Sequence, residues 1–425
     1  MKILTMALAC GMTAALTLPL AGQTVAITGG RVLTGTGTTL DNATIVVRDG
    51  RIAAVGTGVT VPAGATVFDA RGKVVTPGLI NSYTTIGVVE IEAVNETSDA
   101  ASSNDRITAA FDVVYGLNPV STLIPIERDG GVTSAVVAPG ARASIIGGKG
   151  ALIHLSGSRA DSMIDRAPVA MFGVLDESAA ERTGGARGTA VLRLRELLED
   201  VRDYAANPAA YENRDRRDLS LSRLDLEAMV PVVQGKLPLV LVVERAPDIL
   251  NALALAREFK LHLVIAGAAE GWMVGDALAA AKVPVIMNPL TDIPGYDNLA
   301  ATLQNAARLR KAGVVIAFAT FDAHNARNLR FLAGNAVANG LPYDAAIEAI
   351  TAAPARIWGA DANIGAVAVG REANLVIWSG DPLELMTRAE RVFIHGQDMP
   401  PDNRQRQLLA RYRTLSDSLP PQYRH

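Results

Sequence analysis

Apolar residues recur along this chain in two rhythms. Over residues 24–75, and again over 373–396, they come in short runs punctuated by glycine. The run 25–33 leads into a turn, and the β-branched stretches 43–48 and 51–55 flank Asp49-Gly50. That dipeptide favours the positive-φ turn of a two-residue hairpin. The stretches 373–378 and 391–396 have the same texture. Each patch is too short to bury a core alone, so the two ends are predicted to pair into one small β-sandwich, from 23–75 and 364–400.

Between these ends the rhythm changes. Continuous apolar runs at 237–243, 261–265, 283–287 and 314–318 alternate with helical patterns at 248–259, 270–281, 298–311 and 326–339, and 133–137 is a further strand of this type. Strand and helix alternating at roughly thirty-residue spacing imply βα units around a parallel sheet buried on both faces. Their number predicts an α/β fold whose main body, over 76–363, is a (β/α)8 TIM-like barrel. Residues 157–235 break the alternation. The amphipathic helix 187–206 and the charge run 211–218, with Arg214, Asp215, Arg216, Arg217 and Asp218, read as a solvent-facing cover over the barrel mouth. Residues 401–425 read as a C-terminal tail.

Composition narrows the function classes. With 49% hydrophobic residues, 38 glycines and 20% charged residues, the chain can bury a sizeable core. A net charge of −3 and 4% aromatics offer neither a basic stripe nor stacking surfaces, so no nucleic-acid partner is expected. At the N-terminus, Lys2 precedes an uncharged apolar run, 3–20, and Ala21-Gly22 forms a small-residue cleavage site. Residues 1–22 therefore read as a signal peptide, which predicts export to the periplasm or secretion and no membrane association once it is removed. An uncleaved anchor is the alternative. Cys10 is the single cysteine and lies inside this segment, so disulfides, thiol catalysis and cysteine zinc sites are excluded from the mature chain. Gly147-Gly148-Lys149-Gly150 lacks P-loop spacing and reads as a loop.

Two long motifs carry a family resemblance. Segment 69–85 contains Thr76-Pro77-Gly78-Leu79-Ile80-Asn81, and segment 350–357 contains Thr351-Ala352-Ala353-Pro354-Ala355; the second is followed by Gly365 and by 373–382. Together they resemble amidohydrolases of the imidazolonepropionase and prolidase-like groups over residues 24–400. The resemblance implies a sandwich built from both termini around a barrel, and a hydrolase of non-peptide or peptide-like C–N bonds. It lays the first-strand His-x-His pair of active relatives onto Tyr83 and Thr85, the fifth-strand histidine onto Val242, the sixth-strand histidine into 266–268, and the eighth-strand aspartate onto Phe321 or, one residue on, Asp322. Two imidazoles two apart on a strand point the same way and can share one ion, whereas a protonated phenol and a hydroxyl are poor zinc ligands.

The chain has five histidines: His154, His262, His324, His395 and His425. His395 and His425 fall in or after the sandwich, His262 starts a strand, and His154 reads as a core or edge histidine. Only His324 lies at a strand's C-terminal end, where barrel enzymes place chemistry. No metal and no other cofactor is therefore expected. The remaining polar residues at the predicted mouth give Asp322, His324 and Glu244 as catalytic candidates, Asp322 orienting His324 as a base. Arg327, Tyr83, Glu270 and Asn288 are the candidates for substrate binding. Asp322 and Asn325 capping the next helix, with Arg327 in an ion pair, is the structural alternative. The expected partner is a small molecule at the mouth. A homo-oligomer, or a non-catalytic scaffold working beside an active relative, stays open.

Overall fold

The structure, a computed structural model, describes residues 24–213 and 217–413. The predicted signal segment, Arg214, Asp215, Arg216 and His425 lie outside the described residues.

Eight strands form a nearly closed barrel: β6 (Leu79–Thr84), β7 (Val132–Val137), β8 (Ile146–His154), β9 (Ile164–Val174), β10 (Leu239–Val243), β11 (Leu263–Gly267), β12 (Val285–Met287) and β13 (Ile316–Phe318), numbered after five strands at the N-terminal end. Across the gap between β13 and β6, the Phe321 N–H donates to the Tyr83 carbonyl at 3.1 Å, and Asn81 bonds the Thr320 hydroxyl at 2.8 Å. Ile80, Val136, Leu152, Phe172, Val240, Val264, Ile286 and Ala317 fill the interior, as the unbroken apolar runs require of a sheet buried on both faces.

The barrel departs from the predicted uniform βα repeat. β8 runs antiparallel to both β7 and β9, so a hairpin replaces one crossover helix. Gly147-Gly148-Lys149-Gly150 lie inside β8 rather than in a loop. β9 occupies part of the stretch expected to lie over the mouth, and the helices Glu177–Arg182, Arg187–Ala206, Pro208–Glu212 and Arg223–Val233 follow it before β10. Direction decides geography here. The last residue of β8, His154, pairs with Ser134 near the start of β7, so it lies at the barrel's foot while Tyr83 and Val137 mark the mouth.

The two chain ends meet in a second eight-stranded sheet. β1 (Val25–Leu33), β2 (Thr39–Arg48), β3 (Arg51–Gly56), β4 (Thr66–Asp69) and β5 (Val74–Pro77) come from the N-terminal side, and β14 (Leu375–Trp378), β15 (Ala389–Ile394) and β16 (Gln397–Met399) from the C-terminal side. The antiparallel pairing of β5 with β14 joins them. Asp49 and Gly50 adopt φ of 50° and 76°, the double positive φ that the hairpin signal predicts. The sheet seats against the barrel's foot. The Gly78 N–H donates to Asn374, and a Cβ on Gly131, which immediately precedes β7, would stand 2.5 Å from the Trp378 ring.

Candidate functional site

At the mouth, Tyr83 packs edge-on against Phe172, with centroids 5.4 Å apart, and tilted against Phe321 at 4.8 Å. Such pairs add about 0.5–1.5 kcal/mol each beyond the area they bury. Desolvation pushes the Tyr83 phenol up, away from the phenolate form that would ligate an ion. Val242, Ala266 and Phe321 belong to the same apolar cluster. The donor chemistry at the positions matched to the family's imidazoles therefore does not fit a divalent ion.

The polar candidates around this plug are held separately. The Asp322 carboxylate accepts from the Asn325 N–H at 2.8 Å and from its side-chain amide at 3.0 Å. His324 places Nε2 3.1 Å from the Glu90 carbonyl and Nδ1 3.4 Å from the Glu92 carboxylate. Asp322 thus does not orient His324: the next turn's free N–H competes successfully for the carboxylate. Arg327 donates to the fully buried Glu127 at 2.7 Å, so its guanidinium faces a structural partner. Burial pushes Glu127 up to about 7 against the opposing pull of Arg327. Glu270, also buried, accepts from the N–H groups of Ala246 and Ala300 at 3.1 and 3.0 Å and ties two loops together. Asn288 closes its own turn through the Leu290 N–H at 3.1 Å.

Glu244 differs. It follows β10, accepts from the Ala269 N–H at 3.0 Å, and is pushed up to about 7 by burial, with Asp176 and Asp297 adding repulsion. Gly267, at φ 82°, makes room for it, because a Cβ there would stand 2.2 Å from the Glu244 carboxylate. Asp292, 3% exposed, accepts from Asn305 at 3.0 Å. Burial pushes it up to about 8, with Glu244 as the repelling neighbour. Sequence reasoning missed Asp292, since it sits within an irregular connection well past the end of β12 and no periodicity marks it.

A second polar cluster lies at the foot. Among the described residues, the set of three metal-ligating side chains whose donor atoms all lie within 4.8 Å of one another is His154, Glu372 and His395. His154 Nε2 stands 3.7 Å from Glu372 and 3.7 Å from Asp165, and His395 Nδ1 stands 3.5 Å from Glu372. The other nitrogen of His154 faces the Ser134 hydroxyl at 3.2 Å. His395 sits at φ 49° in the turn between β15 and β16, where its N–H donates to Asn374 at 2.8 Å.

The fold and the site thus define a TIM-like barrel scaffold with a carboxylate-lined mouth and a sheet built from both termini. The amidohydrolase family model matches residues 263–403. An amidohydrolase of Hapsidospora irregularis is 24% identical over 374 residues, 79% of this chain, and this chain spans 37% of that relative's length. The crystal structure of an amidohydrolase from Thermotoga maritima superposes with a TM-score of 0.80 at 26% identity, over 88% of this chain and 99% of that one. An adenosine deaminase from Xanthomonas campestris with bound zinc shares the fold at a TM-score of 0.51 and 18% identity, over 89% and 93% of the two chains. The chain is thus similar to amidohydrolases, in sequence over residues 263–403 and in fold over most of its length.

The expectation of no metal is corrected by these findings. A donor set is assembled, from two histidines that the sequence assigned to core or sandwich. The join of the two chain ends was expected, but the reversal of β8, which carries His154 to the foot beside it, could not be read from local pattern.

Proposed function

We propose that the mouth binds a small amide-like molecule and hydrolyses its C–N bond, with Glu244 and Asp292 as the acid–base pair. One observation carries this reading: two desolvated carboxyls on the β10–β12 side of the mouth hold their protons to about 7 and about 8. Groups tuned close to working pH are what general acid–base chemistry requires. Glu244, ionised, takes a proton from water as the water oxygen bonds to the carbonyl carbon. Asp292, still protonated, gives its proton to the departing nitrogen as the C–N bond breaks, and an acid and an amine leave. Proton exchange with solvent resets the pair. Activity is expected to peak between about pH 7 and 8, falling below as Glu244 protonates and above as Asp292 ionises.

A second reading keeps the binding and drops the chemistry, leaving a scaffold that serves an active relative. The aromatic plug of Tyr83, Phe172 and Phe321 supports it, because packing occupies the positions that active relatives use for ligands. A panel of linear and cyclic amides, assayed on the full chain and on Glu244→Gln and Asp292→Asn, separates the two. Turnover lost in both variants supports hydrolysis. Ligand-induced thermal shift without turnover in any form supports the scaffold.

A further inference from the structure

We propose that His154, Glu372 and His395 bind a divalent transition-metal ion of the zinc class that staples the terminal sheet to the barrel's foot. The seam lies at the opposite end of the barrel from Glu244 and Asp292, so this inference stands apart from the proposed function.

Spacing is the first argument. Zinc–ligand distances of about 2.0–2.1 Å in tetrahedral geometry put neighbouring donor atoms about 3.3–3.4 Å apart. The donors here stand 3.5 and 3.7 Å apart, beyond the roughly 2.7–3.2 Å of N–H···O bonds. Glu372 therefore stands beyond ordinary hydrogen-bond reach of either imidazole, and all three donor atoms lie within 4.8 Å of one another, close enough for one ion to gather them. The chemistry fits as well: two imidazoles and one carboxylate form a recognised three-ligand zinc set.

Orientation is the second argument. Ser134 faces Nδ1 of His154 at 3.2 Å, which fixes the ring and leaves Nε2 aimed at the cluster. This is the arrangement of a ligating histidine held from behind. Asn374 anchors the other side: its side-chain oxygen accepts from the His395 backbone N–H at 2.8 Å, and its amide donates to the Glu372 carboxylate at 3.3 Å. His154 is 4% exposed, whereas Glu372 and His395 line an open cavity of about 430 Å³ together with Asp49, Gly50, Arg51 and Gln397. The ion would have protein behind it and a solvent path in front. A water from the cavity would supply the fourth position.

Topology is the third argument. His154 ends a barrel strand, while Glu372 and His395 flank the C-terminal strands of the other sheet. One ion would therefore cross-link two sheets that the chain itself joins only through Pro77, Gly78 and the segment before β14.

The test uses the purified full chain, stripped with chelator, dialysed against micromolar free zinc and analysed for metal by mass spectrometry. About one equivalent is expected, together with a rise in Tm on zinc addition and the intense visible bands of tetrahedral cobalt on substitution. His395→Ala and Glu372→Gln, both at the cavity and tolerable to the fold, are expected to weaken zinc binding at least 100-fold and to abolish the Tm rise. A mouth variant, Asp292→Asn, is expected to keep the ion. No zinc retained by the wild type, or retention unchanged in either seam variant, overturns the proposal. Loss in Asp292→Asn overturns it too, by placing the ion at the mouth.

Discussion

The mouth and the foot of this barrel both carry polar side chains and use them in opposite ways. At the mouth nearly every carboxylate has its own N–H donor: Asp322 has Asn325, Glu270 has Ala246 and Ala300, and Glu244 has Ala269. At the foot Glu372 faces His154 and His395 at 3.7 and 3.5 Å, longer than the usual N–H···O bond. Isolated carboxylates satisfied by backbone can hold and move protons, but they cannot grip an ion together. Facing donors can grip one, and their mutual separation is the sign. Where ligands converge, rather than how many polar residues a rim contains, separates the two chemistries.

The largest effect expected from breaking this contrast is at the mouth. Glu244→Gln should lower kcat/KM on a hydrolysed amide by about 100- to 10,000-fold, the usual worth of a general base, with zinc content at the seam unchanged. Stability against pH comes next. Asp292 and Glu244 are raised in the folded state above their ordinary values, so the stability they lend is complete below about pH 4 and is lost as pH rises through about 7 to 8. The loss is on the order of 3 kcal/mol for such a buried group. Asp292→Asn should therefore melt higher than wild type at pH 8.5 and show no such advantage at pH 5 by thermal denaturation. Smaller again, Ser134→Ala should weaken zinc at the seam by about tenfold, since it removes the group that holds the His154 ring. Equal affinity in a chelator competition would show that the ring needs no support. His324→Ala should matter least. Its ring meets Glu90 and Glu92 at a partly exposed position, so a stability change within about 0.5 kcal/mol and near-normal turnover are expected. A large loss of turnover would return His324 to the chemistry and remove Asp292 from it.

What the sequence determined by itself is local. Asp49-Gly50 specifies its hairpin because few other residues tolerate positive φ, and the apolar runs of β10 to β13 specify buried parallel strands because both faces must avoid water. The roles of Asp322 and Arg327 were half-legible, since an aspartate three residues before a free N–H caps it wherever the chain turns. Only the tertiary structure decided the rest. The charged start of β9, with Asp165 and Arg166, conceals a barrel strand, and the reversal of β8 carries His154 to the foot. Asp292 acquires its raised proton affinity from burial beside Glu244. His154, Glu372 and His395 come from opposite halves of the chain and meet because β5 pairs with β14 across the seam. Local pattern encodes backbone conformation and which face is buried. Convergence of distant side chains depends on strand direction and register, which long-range pairing settles.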